Sequence, residues 1–132
     1  SLYHLCRSYS HQIPSASLTG SQRDLQRVTH VMNWVKVHYP EPLSLETAAD
    51  SLALSKEYFC RLFKKYTGQT FLEYLNDVRT MHLYEDLQNS DETITVLMEK
   101  NGLSNYKIFM RTFKKLYGST PQKMRSNRIR HI

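Results

Sequence analysis

Two stretches of the chain, fifty residues apart, set out cationic and polar side chains at one helical spacing. Lys56, Glu57, Cys60, Arg61, Lys64 and Lys65 fall at i, i+1, i+4, i+5, i+8 and i+9, which is one side of a helix. Tyr106, Lys107, Met110, Arg111, Lys114 and Lys115 repeat the set at the same offsets. These residue types suit the edges of base pairs. An arginine fork can donate two hydrogen bonds to guanine O6 and N7, a glutamate can accept from cytosine N4, and small apolar groups such as Cys60 and Met110 can meet a thymine methyl. Lys64, Lys65, Lys114 and Lys115 suit phosphates, which supply salt-sensitive affinity without sequence information. Each residue also has a plainer reading. Arg61 and Arg111 can meet a phosphate or an acid, Glu57 being the acid nearest Arg61. Glu57 can merely repel phosphates, and Tyr106 can pack rather than stack at a groove edge. One basic helix face alone reads as a solvated surface; the same face at matching positions of two units points to duplex DNA.

Other chemistries find little support. The 132 residues suit one domain or two very small ones, with 40% hydrophobic and 23% charged residues. Only Cys6 and Cys60 occur, which excludes a disulfide framework and a four-cysteine zinc site. The six histidines (His4, His11, His30, His38, His82, His131) lack zinc-ligand spacing, so no metal or cofactor is expected. The four glycines are dispersed, which excludes a glycine-rich phosphate cradle. No acid, base and nucleophile cluster in a motif, so no enzyme is expected. No apolar run is long enough for a membrane span, and no secretory leader is visible. The net charge of +6 and pI near 9.4 suit a polyanionic partner.

The elements that must carry these faces are helical. Residues 1–22 are Ser-rich with Pro14 and Gly20, and read as a tail or interdomain linker; 23–132 reads as the folded domain. Leu25, Val28, Met32, Val35 and Tyr39 mark the inward face of a first helix ending before Pro40. Trp34 reads as packing. Ser44 and Ser55 are N-cap candidates for two helices within a first helix-turn-helix at about 44–68, and Gly68 is the C-cap. Thr70 opens a linker helix at about 71–88, with apolar residues Phe71, Leu72, Tyr74, Leu75, Val78, Met81, Leu83 and Leu87 on more than one face, as expected of a helix between two packed bodies. Thr93 opens a second helix-turn-helix at about 93–118, and Thr120 with Pro121 a last helix. The expected fold is all-α, with seven helices and two helix-turn-helix subdomains joined by a long central helix. Self-similarity supports the two units: Arg61-x-Phe63-Lys64-Lys65-x-x-Gly68-x-Thr70 recurs as Arg111-x-Phe113-Lys114-Lys115-x-x-Gly118-x-Thr120. Leu45 and Ala49 match Ile94 and Met98 one residue closer, so the second unit has one extra residue, placed at Asn101-Gly102. A linker helix of this length spans roughly 25 Å, which puts two reading helices within reach of successive major grooves. Thr70 and Thr120, with the helix starts they head, can hold phosphates or simply cap. Arg125, Arg128 and Arg130 form a basic end that can reach the DNA backbone.

From about Val28 to Arg130 the chain resembles the C-terminal DNA-binding domain of the AraC/XylS family of bacterial transcription regulators. The matching pieces are L-S-L-E-T-A-A (43–49), S-x-x-Y-F-x-R-L-F-K-K-x-x-G (55–68), F-x-x-Y-L-x-x-x-R (71–79), G-L-S-N-x-x-x-F-x-R-x-F-K-K-x-x-G-x-T-P (102–121) and Met124-Arg125. The resemblance implies recognition helices at about 56–67 and 106–117. It implies base contacts from Lys56, Glu57, Cys60 and Arg61 in one groove and from Tyr106, Lys107, Met110 and Arg111 in the other. It further implies promoter DNA and RNA polymerase as partners, activation or repression of promoters, an N-terminal sensing or dimerising domain upstream, and a cytoplasmic, nucleoid-associated protein. The chain departs from the family pattern at Leu83, Met98, Leu103 and Met124, which implies adjusted packing in the second unit. From the residues alone, a helical protein-interaction module with basic faces for an acidic partner is the competing reading. An RNA reader would offer exposed aromatics.

Overall fold

The computed structural model describes the backbone of residues 19–130 and the side chains of 19–127. Among these residues the chain forms seven α-helices and no strand: α1 Gly20–His38, α2 Leu45–Ser51, α3 Lys56–Thr67, α4 Phe71–Asn89, α5 Ile94–Lys100, α6 Tyr106–Tyr117 and α7 Pro121–Arg130. Of the tail or linker expected over residues 1–22, residues 1–18 lie outside the described residues. The first described helix begins slightly before residue 23. Thr19 accepts from the Gln22 backbone at 3.1 Å while the Gln22 side chain accepts from the Thr19 N–H, and this capping box starts α1 at Gly20.

The expected caps are in place. Ser44, Ser55, Thr70 and Thr93 each accept a backbone N–H three residues on, and Asn105 does so for α6. Gly68 and Gly118 close α3 and α6 in the left-handed conformation, at φ 77° and 72°.

Two cores result. The first joins Val28, Val31 and Val35 of α1 to Ala48 and Ala49 of α2, Phe59, Leu62 and Phe63 of α3, and Phe71, Tyr74, Leu75 and Val78 of α4, with Trp34 packed against it. The second joins Leu83 and Leu87 of α4 to Leu97, Met98, Leu103, Phe109 and Phe113. The repeat thus extends further than the helix-turn-helix motif. Val28, Val31 and Val35 recur fifty-two residues on as Thr80, Leu83 and Leu87, all buried. The second half of α4 does for the second unit what α1 does for the first.

Three expectations need correction. Leu25 is 52% exposed, because the inward rung of α1 runs through Val31 instead. Leu72 and Met81, at 52% and 43% exposure, lie between the two core-facing sides of α4 rather than on either. The extra residue of the second unit follows Leu103 rather than sitting at Asn101-Gly102. Ala53 at φ 56° matches Gly102 at φ 80°, and Leu54 N–H to Ala49 O matches Leu103 N–H to Met98 O, both forty-nine residues apart. Only past these bonds does the offset become fifty, so the insertion lies between Leu103 and Asn105.

Leu83, Met98 and Leu103 are buried in the second core, and Met124 packs against it. The four departures from the family pattern therefore share one core.

Candidate nucleic-acid interface

α3 and α6 present the two repeated faces. Phe59, Leu62 and Phe63 turn one side of α3 into the first core, and Phe109, Thr112 and Phe113 do the same for α6. The remaining side of each helix is solvent-facing. Lys56, Glu57, Cys60, Arg61, Lys64 and Lys65 are all exposed; so are Tyr106, Lys107, Arg111, Lys114 and Lys115, while Met110 is half-buried against the second core. A thioether already committed to packing has less surface to offer a thymine methyl than Cys60 has.

Partners separate these residues into free and engaged. Glu57, Arg61, Lys64, Lys107, Arg111 and Lys114 make no side-chain hydrogen bond or ion pair among the described residues. Arg61 is thus not tied to Glu57. Lys56 is held by Glu46 of α2 at 3.4 Å. The Glu46 carboxyl lies below the usual carboxylate range, through a hydrogen bond from its own backbone N–H and then through Lys56. Lys65 lies 5.5 Å over the Tyr66 ring. Lys115 meets Asp77 of α4 at 2.8 Å, so it is an anchored cation rather than a free one. Tyr106 accepts from Gln122 of α7 at 3.4 Å and is 51% exposed. Thr70 and Thr120 accept from Glu73 N and Lys123 N as caps, at 3.1 and 3.2 Å, and the Thr70 N–H and hydroxyl both engage the Glu73 carboxylate, which lowers its pKa.

Arg125 belongs elsewhere. Its Nη1 and Nη2 donate to the carbonyls of Glu92 and Ser90 at 2.5 and 3.0 Å, so it ties α7 to the α4–α5 connection rather than reaching for DNA. The side chains of Arg128 and Arg130 lie outside the described residues.

Sequence reasoning did not single out Asp77, and it met Arg79 and Gly102 only as letters of the family pattern and as a turn, with no partner assigned. Arg79 donates to the carbonyls of Tyr39 and Glu41, both at 2.6 Å, and burial lowers its pKa. A backbone carbonyl leaves no trace in sequence, so nothing signalled these bonds. The aromatic rings face inward: Phe59, Phe63, Phe71, Phe109 and Phe113 are at most 2% exposed, which leaves few platforms for unstacked bases. No group of three metal-ligating residues occurs among the described residues. None of the described helices is long and apolar enough to cross a membrane.

Comparisons with known proteins point the same way as this geometry. The profile described as "Helix-turn-helix domain" matches residues 48–127. The chain is 31% identical over 111 residues to the HTH-type transcriptional activator RhaS of Escherichia fergusonii, a match covering 84% of this chain and 40% of RhaS. Among solved structures, the DNA-binding domain of AdpA, a global transcriptional factor in complex with a target DNA, is similar at TM-score 0.68 and 25% identity, covering 76% of this chain and 90% of that one. An AraC-type transcriptional regulator from Chromobacterium violaceum is similar at TM-score 0.65 and 28% identity, covering 83% and 95%. The chain spans 14% to 40% of the length of the curated relatives it matches.

Proposed function

The chain belongs to the AraC/XylS-type helix-turn-helix family as a DNA-binding domain of a transcription regulator, and on that premise we propose that it reads duplex DNA with α3 and α6 in successive major grooves. The observation that carries this is the two equivalent, exposed pairs of cations free of hydrogen bonds and ion pairs, Arg61 with Lys64 on α3 and Arg111 with Lys114 on α6, on two helices that both pack against α4. α4 has nineteen residues and is therefore about 28 Å long, which is on the scale of one DNA turn of about 34 Å.

In this reading Arg61 and Arg111 read guanines, Glu57 accepts from cytosine, and Cys60 meets a methyl. Lys107 and Tyr106 work at the edge of the second groove, with Met110 behind them. Lys56, held by Glu46, contributes to the first groove. Lys64, Lys65, Lys114 and Lys115 meet phosphates, together with the hydroxyls of Thr70 and Thr120. The family is one of DNA-binding regulators rather than an enzyme class. An upstream sensing or dimerising domain, contact with RNA polymerase and a place on the bacterial nucleoid complete the proposal, and the greater length of the relatives supports the first of these.

Arg61→Ala beside Lys64→Ala tests the assigned roles. The arginine change relaxes sequence choice; the lysine change weakens all duplexes alike and reduces the salt slope by about one. Identical behaviour of the two variants would refute the assignment, and indifference of the parent chain to duplex sequence would favour a protein partner for the basic faces.

A further inference from the structure

α4 carries two polar stripes between its core-facing sides. Arg79, His82 and Asp86 fall at i, i+3 and i+7 and share one side. At one end of that stripe Arg79 holds the α1–α2 connection of the first unit through the Tyr39 and Glu41 carbonyls, both at 2.6 Å. The His82 ring stacks on Tyr39, with centroids 4.0 Å and planes 7° apart. At the other end Asp86 accepts from Asn101 Nδ2 at 3.0 Å, in the turn of the second unit. The next residue, Gly102, has no room for a side chain. A Cβ there would lie 2.9 Å from Pro40 O, 3.0 Å from Tyr39 O and 3.0 Å from Arg79 Nε. The turn of the second unit therefore rests directly on a connection of the first, with Arg79 against both.

The other stripe faces away. Asp77 precedes Arg79 by two residues and so lies about 200° around the helix from it. Its carboxylate accepts from Lys115 Nζ at 2.8 Å and from Gln69 Nε2 at 2.7 Å. Tyr84, seven residues on, stacks on Tyr117 with centroids 4.2 Å and planes 13° apart. Lys115 and Tyr117 both belong to α6. The second reading helix is thus gripped on one side of α4 and its turn on the other, while the first half of α4 is fixed in the first core.

We infer that these opposed grips set the separation and phase of the two reading helices, making Asp77, Arg79 and Gly102 positioning residues that fix the spacing of the DNA boxes the chain accepts. The box spacing rests on the DNA reading proposed above; the fixed separation does not. One inserted base pair carries the second box 3.4 Å along the axis and turns it by about 34°. A grip on one side alone would leave a hinge able to follow that movement, and grips on opposite sides resist it.

Spin labels test the separation without DNA. Cys60 is exposed on α3, and Lys107 is exposed on α6. With Cys6→Ser and Lys107→Cys in the full chain, nitroxides at 60 and 107 report the distance between reading helices by pulsed dipolar spectroscopy. The parent gives one narrow distribution. Asp77→Asn and Gly102→Ala each broaden or shift it by several ångström at unchanged helix content by circular dichroism. An unchanged distribution in the folded Asp77→Asn protein overturns the inference, and that variant keeps the test intact should Gly102→Ala fail to fold. Unlabelled chains then bind duplexes whose boxes are one base pair closer or further apart than the optimum. The parent loses about tenfold per step, the scale of one mismatched base pair, and Asp77→Asn loses only about threefold. A merely structural role would lower affinity by one factor at every spacing, and that result also overturns the inference. A narrow parent distribution that broadens in the variants, with no preference among duplexes, upholds the grips and refutes the DNA reading alone.

Discussion

Where the first unit has Tyr58, the second has Ile108. The Tyr58 hydroxyl reaches Asp24 of α1 at 3.2 Å, and Arg27 meets the same carboxylate at 3.0 Å, so α3 is latched to a helix of its own unit. Ile108 is 37% exposed; α6 is held instead by Lys115 on Asp77 and by Tyr117 on Tyr84, both on the shared helix. The first unit supplies its own third helix in α1, and the second borrows half of α4. Two helices with one sequence pattern are therefore mounted differently. The first is self-contained, and the second depends on an element whose other half lies in the first core.

The largest expected effect tests that dependence. Phe63 and Phe113 are both fully buried, and truncating either to alanine costs about 3–5 kcal/mol. Trp34, the single tryptophan, packs against the first core and reports on it alone. Phe113→Ala should leave the Trp34 fluorescence transition in urea nearly in place while early loss of helix appears by circular dichroism. Phe63→Ala should move both signals together. Equal, coincident shifts in both variants would remove the asymmetry.

Next in size is base discrimination. Arg61→Ala and Arg111→Ala should each remove about 1–3 kcal/mol of preference at one box only, measured by competition between duplexes mutated in either box. Smaller effects follow from matched backbone and core positions. Ala53 occupies the left-handed turn that Gly102 occupies in the second unit, so Ala53→Gly should stabilise the chain by about 1 kcal/mol in thermal unfolding. Thr80 stands where the first unit has Val28, and its buried hydroxyl has no hydrogen-bond partner. Thr80→Val should therefore raise stability by about 1 kcal/mol, with its effect on the second unit's transition. The smallest difference separates two lysines of α6. Lys114→Ala should reduce the salt slope of binding by about one, and Lys115→Ala by less, because Asp77 already neutralises Lys115.

Much of this mounting was legible in the sequence. Capping residues announce themselves because a hydroxyl or amide three residues before a helical N–H has one geometric use, and Ser44, Ser55, Thr70 and Thr93 all serve it. The two-sided pattern of α4 foretold two cores. The two exposed cationic faces followed from the repeat, since Arg61 and Arg111 each stand two residues after a buried phenylalanine, Phe59 and Phe109. Leu25, Leu72 and Met81 misled because an apolar side chain fits the helical period at a rim as well as at a core. Ala53 hid a left-handed turn because alanine rarely takes that conformation. The grips around Arg79 and Gly102 were invisible, since their partners are carbonyl oxygens that every residue carries.

The most direct measurement is selection of bound sequences by this chain from a randomised duplex pool at about 150 mM salt, where non-specific binding is weak. Two short preferred boxes about one helical turn apart, at one fixed spacing, are the predicted result. A single box would contradict a second reader in α6, and the absence of any enrichment by folded protein would contradict DNA reading altogether.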